Sequence, residues 1–193
     1  MTRPQLWVFA GPNGAGKSTF VDRYVQSRIP VVNPDNIARS LDPALAAAAR
    51  LALAGRHAVR ERADLLASHR SFAIETTLTG HSELDLMRAA RLAGYKVNLI
   101  YIGLANVQNS VSRVRERAAR GGHDVPLADL LRRFDRSLAN LPRAMALADR
   151  SIVLDNSGQR RRYVHSQDGA RTKFTAPTPP GWYVGALSSG GPE

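Results

Sequence analysis

The chain has 193 residues, 44% of them hydrophobic, which is enough for one domain with a proper buried core. It contains no cysteine, so disulfides, thiolate metal sites and thiol nucleophiles are excluded; with no apolar run of membrane-span length and no signal-peptide pattern, the expectation is a soluble cytoplasmic protein without membrane contact. The formal charge of +11 is almost all arginine, Lys17, Lys96 and Lys173 being the only lysines. A basic surface suits nucleic acid, an anionic small substrate or an acidic protein partner.

An apolar run at 6–10 predicts the first strand, and Gly11-Pro12-Asn13-Gly14-Ala15-Gly16-Lys17-Ser18-Thr19 follows it. This stretch meets the pattern G-x-x-x-x-G-K-[ST] in full and leads into a predicted helix over 17–26. The glycines let the backbone curl until several N–H groups face one polyphosphate, and the helix N-terminus adds its partial positive charge. Lys17 would reach the β- and γ-phosphates, and the Ser18 hydroxyl would ligate Mg²⁺. The stretch is read as a site for the phosphates of ATP or GTP.

A short strand is predicted at 29–33, ending at Pro34-Asp35. Asp42-Pro43 reads as a helix start, and 44–69 as one long helix or two joined near Gly55. A buried strand over 71–75 ends in the carboxylate of Glu75. A helix starting at Ser82 is stopped by Gly94, a strand spans 97–102 and a helix 107–120. Gly121-Gly122 breaks the chain. The helical stretch from 126 to 148 contains Pro142 and is expected to kink or restart there. A strand at 151–155 and a turn at Asn156-Ser157-Gly158 come next. Segments 162–164 and 182–184 read as edge strands or loops, and Pro177-Thr178-Pro179-Pro180-Gly181 cannot be a central strand. One domain is expected over 1–187, with 188–193 a disordered tail.

Strand and helix alternate throughout. The expected class is therefore α/β, a three-layer P-loop NTPase fold with a mostly parallel central sheet, helices on both faces and an arginine-bearing helical lid. Ligands of such a sheet bind beyond the carboxyl ends of its strands, which collects Asp35, Glu75 with Thr76 and Thr77, 103–106, and Asp155-Asn156. Phosphoryl transfer to a hydroxyl needs a group that accepts the hydroxyl proton. Asp35 is the first choice, with capping of the helix near Asn36 as its alternative role. Glu75 would bind substrate hydroxyls or a Mg²⁺-bound water, or make a structural hydrogen bond. Thr76, Thr77 and Thr79 are hydroxyl donors beside it, each of which, taken singly, reads as a turn or cap residue rather than a ligand.

Arg113, Arg117 and Arg120 share one helix face, and Arg132 or Arg133 lies on the next helix. Two such helices joined at a glycine corner resemble a lid that closes over phosphates; the alternative is a solvated basic face. His123 has no second His or Cys at ligand spacing, so a zinc site is not supported, and no serine stands in a nucleophile elbow. Aromatic residues make up 6% and are not interleaved with the basic ones, so nucleic acid is not the expected partner. A P-loop ATPase or nucleic-acid-binding NTPase without a small-molecule acceptor remains the alternative. The apolar stretch 151–155, ending in Asp155, loosely imitates an ATPase strand whose acid polarises water.

Taken together, these residues resemble the zeta-toxin family of P-loop kinases. The likeness is carried by the phosphate loop, Asn33-Pro34-Asp35-Asn36-Ile37-Ala38, Phe72-Ala73-Ile74-Glu75-Thr76-Thr77-Leu78, Tyr101-Ile102-Gly103-Leu104, the 113–126 segment and 132–141. The resemblance implies transfer of a phosphate from ATP or GTP, with Mg²⁺, to a sugar hydroxyl of a UDP-amino sugar such as UDP-N-acetylglucosamine. It also implies a separate small antitoxin protein that blocks the nucleotide site. It assigns Lys17 and Ser18 to phosphates and Mg²⁺, Asp35 to the base, and Glu75, Thr76 and Thr77 to substrate. Arg117, with Arg120 or Arg133, would clamp the γ-phosphate. The chain is shorter than the full-length toxins of that family, and with the phosphate loop at residue 11 no fused N-terminal antitoxin is expected.

Overall fold

The structure is a computed structural model, which describes residues 3–121 and 125–189. The expectations for Gly122, His123 and residues 190–193 lie outside the described residues. Strand β1 (Gln5–Ala10) is central, pairing in parallel with β3 (Phe72–Thr76) on one side and β4 (Lys96–Gly103) on the other. The short β2 (Val31–Val32) lies outside β3, and β5 (Arg150–Asp155) runs parallel to β4. Beyond β5, β6 (Arg162–Asp168) and β7 (Arg171–Thr175) add an antiparallel pair, giving the order β2-β3-β1-β4-β5-β6-β7.

Successive strand residues point to opposite faces, and both faces are covered. Leu6, Val8, Phe72, Ile74, Leu99 and Tyr101 share one core with helices α3 (Ala47–Ala67), α4 (Ser82–Leu92), α6 (Leu127–Leu147) and α7 (Gly181–Ser189). Phe9, Ala73, Ile100 and Ile102 form the second core with Val21 of α1 (Lys17–Tyr24) and Phe134 of α6. The expected α/β P-loop fold, mostly parallel with helices on both faces, is the fold observed. Two further helices frame the carboxyl end of the sheet: α2 (Pro34–Ser40) and α5 (Val107–Ala119).

Several local expectations are corrected. Asp42-Pro43 does not start a helix: Asp42 Oδ1 accepts the Ala44 N–H at 2.8 Å and its carbonyl accepts the Leu45 N–H, making a turn, and α3 begins at Ala47. Of the two readings of 44–69, one long helix is the one observed: Gly55 lies inside α3, where it loses only the modest propensity of a glycine in a long helix. Of the two alternatives at Pro142 the restart is not seen: α6 runs through it, with Leu141, Ala144 and Met145 buried around it, where packing outweighs one lost hydrogen bond. The segment around Trp182 is helix α7 rather than strand or loop, anchored by buried Trp182, Tyr183 and Ala186. Ser188 and Ser189 belong to that helix, not to a disordered tail; their hydroxyls donate to the carbonyls of Val184 and Gly185. Strand β7, not anticipated, is exposed along its length, so its sequence carries no apolar alternation to reveal it.

Candidate active site

The phosphate loop is shaped by contacts that leave no room for side chains. Gly11 has φ +139°, and a Cβ there would lie 2.1 Å from the Ile102 carbonyl oxygen of β4. Gly16, at φ +86°, is the left-handed residue that opens α1. The loop is held from both flanks: Ser110 Oγ of α5 donates to the Asn13 carbonyl at 2.7 Å, and Asn156 Nδ2 after β5 donates to the Ala15 carbonyl at 2.9 Å. Lys17 is 7% exposed and its ammonium donates to the carbonyls of Gly11 (2.8 Å) and Pro12 (3.0 Å). Burial pushes its pKa down and Arg117 adds to this, while the carboxylates of Glu75 and Asp35 oppose it.

Parallel pairing of β1 with β3 sets Phe9 opposite Glu75, so the carboxylate emerges beside the start of α1. Ser18 Oγ donates to Glu75 Oε1 at 2.7 Å, and Asn33 Nδ2 donates to Glu75 Oε2 at 2.8 Å. Asn33 also caps α2 by accepting the Asp35 N–H at 2.9 Å. Capping is thus done by Asn33, and the Asp35 carboxylate has no hydrogen-bond partner among the described residues. After β3, Leu78 is held at φ +58° with Thr76 Oγ1 accepting its N–H and Asn140 donating to its carbonyl. That kink leaves Thr76 and Thr77 on the wall of the same cleft.

A cleft of about 390 Å³ gathers Asn13, Gly14, Gly16, Lys17, Ser18, Thr19, Asp35, Glu75, Thr76 and Thr77 with Arg113, Arg117 and Arg133. Gly11, Pro12 and Ala15 form the loop behind this wall. Arg120, the C-cap of α5, is exposed and does not line the cleft. Of the pair on α6, Arg133 lines it, whereas Arg132 is turned to Asp129 at 2.6 Å. Two lining residues had no sequence signal: Arg62 in the middle of α3 and Glu83 in the first turn of α4, 3.9 Å apart. Arg62 is 8% exposed, its Nε has no partner among the described residues, and burial lowers its pKa against the opposing charges of Glu83 and Glu61. One arginine among many on a long helix carries no pattern of its own; Asn33, expected at the end of the strand over 29–33, caps α2 instead.

Asp155 is committed elsewhere. Its carboxylate accepts from the Ser157 N–H and hydroxyl, from Arg162 (2.7 Å) and from Trp182 Nε1 (3.3 Å). Burial alone would raise its pKa, but these donors together hold it below the ordinary carboxylate value.

Fold and cleft together define a class, a P-loop protein with a kinase-like architecture. Residues 6–141 match the model of the AAA_33 family, an AAA domain, and the chain belongs to that family. An uncharacterized protein of Haemophilus influenzae is 33% identical over 130 residues, which is 64% of this chain and 92% of its own length. Among solved structures, the native AvrRxo1-ORF1:-ORF2 complex contains a chain similar over 97% of this one and 64% of its own, with a TM-score of 0.77 and 19% identity. The same complex with ATP matches over 89% and 60% (TM-score 0.74, 18% identity). The chain therefore spans less than two thirds of the AvrRxo1 chain it resembles. A structure from the PezAT chromosomal toxin–antitoxin system of Streptococcus pneumoniae matches over 98% of this chain and 85% of its own (TM-score 0.63, 15% identity). At these identities the likeness is one of fold. Among the described residues no helix is long and apolar enough to cross a membrane.

Proposed function

We propose that the protein is a kinase that moves the γ-phosphate of ATP or GTP to a sugar hydroxyl of a UDP-amino sugar such as UDP-N-acetylglucosamine. The observation that carries this reading is the Asp35 carboxylate, without a hydrogen-bond partner among the described residues, on the wall of the cleft that holds Lys17, Arg117 and Arg133. Asp35 takes the proton of the acceptor hydroxyl as its oxygen attacks the γ-phosphorus, the bridging O–P bond breaks, and ADP or GDP leaves. Lys17 and the two arginines offset the charge on the transferring group. The Ser18–Glu75 pair, one hydroxyl beside one carboxylate, fits Mg²⁺, which keeps waters and takes phosphate oxygens rather than an all-protein cage. When bound, the ion neutralises charge on the β- and γ-oxygens. Thr76, Thr77 and the Arg62–Glu83 pair line the remainder of the cleft and are assigned to the acceptor's polar groups.

The zeta-toxin resemblance and the fold shared with a chain of the PezAT system support this acceptor and, with it, a separate antitoxin partner, a single kinase domain that includes α7 through Ser189 and a cytoplasmic reaction. The ATPase alternative loses its support at Asp155, whose oxygens are occupied by neighbouring donors.

The test is ATP consumption with Mg²⁺ across a panel of nucleotide sugars, with mass spectrometry of the products. The expected result is a gain of one phosphate on a UDP-amino sugar. Asp35→Asn should lower the rate on the order of 10³-fold, with ATP affinity changed by less than about threefold. Steady ADP release with no phosphorylated acceptor would sink the kinase reading.

A further inference from the structure

A second cavity, of about 430 Å³, adjoins the first and is lined by Asp35, Ala38, Arg39, Ala47, Arg50, Leu51, Arg117 and Gly121. Asp35 and Arg117 line both, so they form the partition between the two spaces. Their volumes fall in the range of small-molecule sites. The second space has a distinct chemistry. Three arginines and one aspartate line it together with Ala38, Ala47 and Leu51. Arg39 lies one turn beyond Asp35 on α2, so the base and the cation share a face. Arg50 sits in the first turn of α3, which has neither an acidic residue nor a side-chain cap. A cation there opposes the helix dipole, and the arrangement is relieved when an anion joins it. Neither Arg39 nor Arg50 has an ion-pair or side-chain hydrogen-bond partner among the described residues.

We infer that this second cavity is the anion subsite of the phosphate acceptor, in which Arg39 and Arg50 hold a phosphate or diphosphate group while the acceptor hydroxyl reaches Asp35 at the partition. The inference rests on the kinase reading and deepens it. The nucleotide enters from the loop side and the acceptor from the α2–α3 side, and selectivity for phosphorylated over neutral sugars arises from residues outside the phosphate loop. Guanidinium groups suit this task because their planar donors pair with phosphate oxygens in a fork.

The experiment compares the wild-type protein with Arg39→Ala/Arg50→Ala, using ATP, Mg²⁺ and UDP-N-acetylglucosamine. The expected result is an acceptor KM raised at least about tenfold, with the ATP KM moved by less than about twofold. Arg39→Lys/Arg50→Lys should recover part of the loss, and added salt should weaken the wild-type acceptor KM more than that of the alanine variant. An unchanged acceptor KM, with Asp35→Asn still inactive, overturns the subsite and leaves the kinase reading standing. Should the wild-type protein transfer nothing to this sugar, binding of inorganic pyrophosphate is measured with the loop saturated by a non-hydrolysable ATP analogue. Binding weakened in the alanine variant supports the subsite while the acceptor assignment falls; binding that is absent or equal in both proteins overturns the subsite. Both positions are at least partly exposed, so thermal melting should coincide for the proteins compared.

Discussion

Lys17 shows how one residue links burial to function. Its ammonium is withdrawn from water and turned onto loop carbonyls, and burial pulls its pKa below the ordinary 10.5. In the unfolded chain the lysine keeps its proton up to about that ordinary value. Between the two values the unfolded state binds more protons, so stability rises with pH across that window, and below it the whole burial penalty is present. Phosphates of a bound nucleotide bring negative charge to the ammonium and push its pKa back up. The pH profile of kcat/KM for ATP should therefore turn down on its alkaline side below 10.5, with the limb of kcat at higher pH. Coincident alkaline limbs in the two profiles would refute this account. Asp35 and Asn33 divide the labour at the next strand end: the asparagine caps the helix and binds Glu75, and the aspartate is left to face the cleft.

At the level of elements, α7 depends on a close approach between β4 and an indole. A Cβ on Gly103 would lie 2.3 to 2.7 Å from three atoms of the Trp182 ring, and the ring is 8% exposed in the main core. An indole cannot bend away as a flexible chain end could, so Gly103→Ala has to displace it. The expected cost is about 1–3 kcal/mol, read by chemical denaturation, with a change in tryptophan fluorescence. Equal stability of the two proteins would show that α7 shifts freely. The same tryptophan donates to Asp155, which explains why an acid at the end of β5 serves the attachment of α7 and β6 rather than the phosphates. Its position after an apolar strand imitates a catalytic acid, and only the location of its donors distinguishes the two roles.

On the scale of the whole molecule, the sheet and its two cores are extensive, while the corner between α5 and α6 is held by a separate small cluster of Val114, Val125 and Leu130, with Val111 against it. Regions with few buried apolar contacts open locally at lower cost. The amides of Val107–Ala119 should exchange hydrogen faster than those of β1 and β4, and should gain protection when a non-hydrolysable ATP analogue, Mg²⁺ and UDP-N-acetylglucosamine are present together. Exchange in α5 as slow as in β4, unaltered by these ligands, would show that α5 is part of the rigid frame. The charge of +11 also finds a use at this scale, since Arg39, Arg50, Arg62, Arg113, Arg117 and Arg133 all border the two adjoining cavities.

Much of this was legible from residue order. Contiguous signals sufficed for the phosphate loop, because its glycines, lysine and hydroxyls act through neighbouring backbone. They sufficed equally for the alternation of buried strands and helices, because a strand apolar on both faces reads as a continuous run. Carboxylates at strand ends were found the same way, since the parallel topology sends those ends to one side. What the linear pattern lacked were groups whose role depends on a distant partner: Glu75 on Ser18, Arg62 beside Glu83, Asp155 under Trp182, and Arg133 rather than Arg120 at the cleft. Helical spacing put Arg113, Arg117 and Arg120 on one face, but the orientation of α5 against the loop brings only the first two to the cleft. Periodicity determines which residues share a face, and tertiary packing decides what that face meets.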